Sequence, residues 1–124
     1  MVARLNITHL VTLIPAANPD KIVESLLQYD IGLAGEIHSE ENQMLTSSNK
    51  LFEYIYAGLA VIMPDLPGLA ETVNEYNVGE LYGQGDFSQL AYIIDSINSN
   101  RDKLKNFKKA SREAHTFNHQ HTFL

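Results

Sequence analysis

Four short apolar runs, each cut off by proline or glycine, recur along the chain with stretches of helical period between them. They are ITHLVTLIP (residues 7 to 15), DIGLAG (30 to 35), AVIMP (60 to 64) and VGELYG (78 to 83). Runs this short, bounded by Pro or Gly, suit strands buried on both faces better than helices. Strands that alternate with helices dictate a parallel sheet, because a parallel neighbour is reached only by a crossover. The pattern therefore predicts an α/β chain with a Rossmann-like parallel sheet of about four strands and flanking helices. At 124 residues it has room for one such core, so residues 1–124 are read as one domain.

The intervening stretches carry their own start and stop signals. NPDKIVESLLQY opens with Asn18 as a cap, Pro19 at the first helical position and Asp20 in the first turn. Its apolar residues Ile22, Val23, Leu26 and Leu27 predict one buried face. Residues 36–48 are polar, without a steady period, and read as a loop. Ser48 or Asn49 then caps a helix whose apolar positions are Leu51, Phe52, Ile55, Tyr56 and Leu59, with Gly58 as its stop. LPGLAETVNEYN, with Pro67 near its start, predicts a short helix. Asp86 caps a helix with Phe87, Leu90, Ala91, Ile94 and Ile97 inward. A last helix over 101–117 turns Leu104, Phe107, Ala110, Ala114 and Phe117 inward, so the chain ends in helices at about 86–117.

Composition narrows the function classes. No apolar run is long enough to cross a bilayer, and the first 20 residues lack a signal-peptide cleavage pattern. The absence of cysteine excludes disulfides and thiolate metal sites, and fits the cytoplasm. The net charge of −6 is unevenly spread. Residues 1–100 hold three cations against 13 acids, a balance of −10 that repels nucleic-acid phosphates. Arg101, Lys103, Lys105, Lys108, Lys109 and Arg112 supply the rest of the positive charge on a helix read as a solvated face. That helix is the candidate for peripheral contact with an anionic membrane surface. His115, His119 and His121 have a spacing compatible with zinc, but a histidine-rich chain end without a carboxylate is read as a helix end. Tyr54, Tyr56, Tyr76 and Tyr82 are read as packing or surface residues.

In parallel sheets ligands bind beyond the carboxyl ends of the strands, where the loop at 36–48 and the turn at 64–68 both fall. The helix start at Ser47, Ser48 and Asn49 offers unpaired backbone N–H groups to an anion, and Lys50 adds a full charge. Glu53, one turn further, is a poor neighbour for phosphate but a good acceptor for the paired hydroxyls of a sugar. The competing reading is a surface ion pair between Lys50 and Glu53, worth ~0.2–0.5 kcal/mol.

The stretch SSNKLFEYIYAGLAVIMPDLPGLAETV resembles the donor-binding segment of group-1 glycosyltransferases, retaining enzymes of the GT-B fold. The shared pattern is a small polar turn, an apolar pair, Glu-Tyr, an Ala-x-Gly ending, an apolar strand and a Gly-x-x-Glu turn, here Gly68 to Glu71. The likeness covers most of residues 7 to 98. It implies the later part of a C-terminal donor domain, half of that domain in the GT-B fold, serving polysaccharide biosynthesis in the cytoplasm or at the inner face of the membrane. A nucleotide-activated sugar, a UDP- or GDP-sugar, would be the donor, a hydroxyl the acceptor, and no metal or other cofactor would take part. Glu53 would hold the ribose, and the turn at Ser47, Ser48, Asn49 and Lys50 would meet the diphosphate; Gly58, Gly68 and Glu71 complete the matched positions. The catalytic residues remain unassigned. The family's earlier glutamate, eight positions before Glu53, is replaced by Leu45, with Glu40 and Glu41 nearby. The family's basic residues for the diphosphate and its acceptor-binding half have no counterpart in the chain, which is expected to transfer no sugar alone. A non-catalytic nucleotide-binding or interaction module and a GT-B sugar-nucleotide epimerase are the alternatives. In the family's strand order, residues 7–15 would be separated from the later strands. They are expected to close up against residues 30–35 or to leave an edge through which a homodimer forms.

Overall fold

The computed structural model describes residues 21–34 and 49–121, with side chains through Ala114 in the second stretch. The predicted strand at 7–15, the cap at Asn18 and the loop at 36–48 lie outside the described residues. The elements are α1 (Ile22–Leu26), β1 (Ile31–Leu33), α2 (residues 49–56), β2 (Ala60–Pro64), α3 (Pro67–Tyr76), β3 (Gly79–Tyr82), α4 (Phe87–Ser99) and α5 (Arg101–His121). Among the described residues the sheet has three strands where about four were expected, all parallel, in the order β1-β2-β3.

β2 is the hub. All five of its residues are buried, and its side chains alternate between two cores. Val61 and Met63 pack with Leu51 and Ile55 of α2 and Leu69 and Val73 of α3. Ala60 and Ile62 pack with Ile93 and Ile97 of α4 and Leu104 and Phe107 of α5. The side on which each helix lies follows from connectivity. Two crossovers that step in the same direction across the sheet, with the same hand, deposit their helices on one face. α4 leads to no further strand among the described residues and covers the other face.

Local chemistry sets the element ends. At the end of α2, Gly58 takes φ 75°, its N–H donates to the Ile55 carbonyl at 3.0 Å, and the Leu59 N–H donates to Tyr54 at 3.0 Å. These two bonds are those of a Schellman ending, so Gly58 stops the helix as expected. The end of α3 uses Asn77 at φ 54°, the side chain most tolerant of that region after glycine. Pro67 occupies the start of α3, and the Asp86 carboxylate caps α4 by accepting from the Gln89 N–H at 2.9 Å.

The expected buried faces of α1 and α4 are corrected in part, and that of α5 is extended. On α1 the expected residues Ile22, Val23 and Leu26 are half-buried, none of them fully, while Leu27 is 61% exposed. On α4 the buried stripe is Ile93 and Ile97 with Leu90 half-buried, whereas Phe87 is 63% exposed and Ala91 and Ile94 also face outward. Apolar residues cover about 160° of that helix by its 3.6-residue turn, so periodicity alone leaves the inward direction open. On α5, Leu104, Phe107 and Ala114 are buried as expected and Ala110 is half-buried, while Phe117 lies outside the described side chains. The stripe also includes Ser111, fully buried, whose hydroxyl donates to the Leu59 carbonyl at 2.6 Å. α5 thereby crosses the amino ends of the strands and reaches both cores, with Ala114 joining the α2–α3 side.

Pro64 interrupts the ladder between β1 and β2. The Ala60 N–H donates to Asp30 and the Ala34 N–H to Ile62, so the next rung would join a residue-64 N–H to the Ala34 carbonyl. Proline has no N–H. The Tyr82 hydroxyl, reaching over from β3, donates to Ala34 at 2.7 Å instead. Tyr82→Phe should therefore leave a buried carbonyl unpaired and cost about 1–3 kcal/mol in urea unfolding. Restoring the backbone donor with Pro64→Ala in the same chain should recover much of that loss. Additive effects of the two substitutions would show that Tyr82 does not substitute for the missing rung.

Candidate functional site

The three strands end together at Leu33, Pro64 and Tyr82, and the segments that follow them begin α2, α3 and α4 at the same edge. Three helix N-termini therefore face one region, but they differ in how their first N–H groups are satisfied. At α4 the chain closes its own terminus: Asp86 takes the Gln89 N–H, and the Gln89 side-chain oxygen accepts from Gly83 at 2.6 Å. α3 has no side-chain cap bond and no acid in its first turn, and Gly68 there is exposed. α2 begins at exposed Asn49 and Lys50. The partial positive charge of α2 and α3 is thus directed outward at this edge.

Glu53 lies one turn into α2, half-buried, and Glu71 lies exposed one turn into α3. Lys50 and Glu53 form no ion pair among the described residues, where Lys103 pairs with Glu80 and Lys108 with Asp30. The fold brings Asn49, Lys50, Glu53, Gly68 and Glu71 to one sheet edge. Gly58 is the exception. It sits at the far end of α2, where an added Cβ would come within 3.1 Å of Arg112 Cγ, and its part there is to end the helix. Ser47, Ser48, Glu40, Glu41 and Leu45 lie outside the described residues, as do the side chains of His115, His119 and His121.

Tyr54 positions this end of α2. Its ring lies over Gly32 of β1, where a Cβ would collide with it, and its hydroxyl donates to the Leu33 carbonyl at 3.0 Å. Leu33 points away from β2, so its carbonyl lies on the side of β1 that this ladder leaves open. Tyr54 and Tyr82 therefore hold the successive carbonyls of Leu33 and Ala34, fixing the direction in which the chain leaves β1. The sequence alone reads both as packing or surface residues. The overlooked signals were Gly32 inside a strand, which marks a close approach, and Pro64 at the end of the next one.

Comparison with protein-family models, curated proteins and solved structures found no match to this chain.

Burial, and secondarily the Glu53 carboxylate, raises the Tyr54 phenol above its ordinary pKa of about 10. A raised folded-state value means that the unfolded chain ionises first. The contribution of Tyr54 to stability is complete below about pH 10 and is lost as pH rises through the folded-state value. Tyr54→Phe should cost about 1 kcal/mol at neutral pH by removing the bond to Leu33. It should also flatten the fall in stability above pH 10, as measured by denaturant unfolding across a pH series.

Proposed function

We propose that the carboxyl edge of this sheet binds the nucleoside diphosphate part of a nucleotide-activated sugar, as the donor-binding portion of a retaining glycosyltransferase. The observation that carries this reading is the placement of Asn49, Lys50 and Glu53 on the first turns of α2, at the ligand-binding edge of a parallel sheet. The diphosphate would lie against the backbone N–H groups at the start of α2 beside the Lys50 ammonium. The Glu53 carboxylate would accept hydrogen bonds from the ribose hydroxyls. The free amides near Gly68 at α3 are the second group of donors facing the same space.

In the transfer reaction the bond from the anomeric carbon to the diphosphate oxygen breaks, the acceptor hydroxyl oxygen forms the new one, and its proton passes to the departing diphosphate. Negative charge grows on the departing diphosphate, and oriented amides with Lys50 stabilise that charge more than the ground state. Glu53 contributes by fixing the nucleoside so that the diphosphate meets those donors.

The ribose assignment is tested with Glu53→Gln. Calorimetric titration should show binding of UDP or GDP weakened by roughly tenfold or more, the worth of hydrogen bonds to a charged acceptor. Binding of inorganic diphosphate should hardly change. Equal losses for both ligands would reject the assignment of Glu53 to the ribose.

A further inference from the structure

The cations of α5 are not distributed as on a simple solvated face. By the 3.6-residue turn, Arg101, Lys105, Lys108 and Arg112 fall within about 60° of one another. They lie about a third of a turn from the buried stripe of Leu104, Phe107, Ser111 and Ala114 rather than opposite it. The four side chains consequently line an open cleft of about 230 Å³, with Asp30 on the facing wall and Leu104 among its lining residues. Asp30 precedes β1 and Arg112 lies beside Gly58, so the cleft sits by the amino ends of the strands, at the opposite edge from Lys50 and Glu53.

The cleft lining has a net charge of +3 in a chain whose overall charge is −6. Lys108 is held by Asp30 at 2.7 Å, while Arg101 and Lys105 have no carboxylate within ion-pair distance among the described residues. Like charges at i and i+4, as in Arg101–Lys105 and Lys108–Arg112, oppose helix formation. An ordinary exposed helix relieves this by interspersing acids, yet the acids of α5 up to Ala114, Asp102 and Glu113, lie outside this arc. Concavity also matters, because several cations converging on one space act on the same ligand.

We propose that this cleft binds a phosphate-bearing anion, at a site separate from the carboxyl-edge site. The guanidinium of Arg101 suits bidentate contact with phosphate oxygens, and Lys105 adds a mobile point charge. Lys108, already oriented by Asp30, supplies donors at the middle of the cleft. The ligand is a phosphate ester or diphosphate of net negative charge, whether a free small molecule or a lipid headgroup.

The test follows backbone amide signals of the full chain by NMR during titration with inorganic diphosphate. Saturable shifts should appear around Asp30 and along residues 101–112, and should persist in Lys50→Gln, whose substitution affects the other edge. The double substitution Arg101→Gln, Lys105→Gln should weaken the response at least tenfold while leaving the amide pattern of the fold intact. A second arm measures co-sedimentation with vesicles of phosphatidylglycerol and of phosphatidylcholine. Capture by phosphatidylglycerol alone, reduced by the double substitution and competed by diphosphate, would identify a headgroup as the source. Diphosphate binding without vesicle capture would identify a free phosphate compound. Shifts that fail to saturate, or that survive the double substitution unchanged, would overturn the proposal.

Discussion

Everything in this structure depends on the burial of β2 on both faces and along both edges. A strand enclosed in this way has no access to water, so each of its N–H and C=O groups needs a partner within the protein. Where the ladder cannot supply one, side chains do so. Ser111 serves the Leu59 carbonyl just before the strand, and Tyr82 completes the rung that Pro64 cannot make. The apolar residues of β2 provide the driving force for assembly, but these two hydroxyls determine how α5 and β3 must sit to complete it. A third hydroxyl, that of Tyr54 on α2, extends the same logic to the outer edge of β1.

The two ends of the strands present positive groups of different kinds. At the carboxyl edge they are the backbone amides at the starts of α2 and α3, whose directions the fold sets, together with Lys50. At the amino edge they are the long side chains of α5, which are mobile and strongly salt-sensitive. Amides can approach a ligand closely and retain their positions, a property suited to controlling a reacting group. Flexible cations hold an anion without fixing its geometry, a property suited to capture or docking.

Much of the architecture was legible because the chain marks its boundaries chemically. Gly58, Pro67 and Asp86 perform the stopping, starting and capping functions that their residue types imply, and the alternation of AVIMP with helical stretches specifies a parallel sheet. The inward direction of α4 was not legible, because Phe87, Ala91 and Ile94 compete with Leu90, Ile93 and Ile97 for the same interior. Only the position of Ala60, Ile62 and Tyr82 on the facing sheet decides between them. At the candidate site, Lys50 and Glu53 could be placed on one helix from spacing alone. The posts that hold that helix could not, since the Tyr54–Leu33 and Tyr82–Ala34 bonds span 21 and 48 residues and leave no local pattern.

The path of α5 has a consequence for the order in which the molecule can be assembled. Its bonds to Leu59 and Asp30 close loops of 52 and 78 residues, and the loop-closure entropy is spent before those contacts reward it. A ribosome releases β1, β2 and β3 before the helix that seals their amino ends. During that interval the Leu59 carbonyl and the α5-facing side of the sheet remain uncovered, although every strand is already available to pair. α5 thus acts as a late fastener, and the time between synthesis of Tyr82 and of Ala114 defines the window in which the nascent sheet is open to association with other chains.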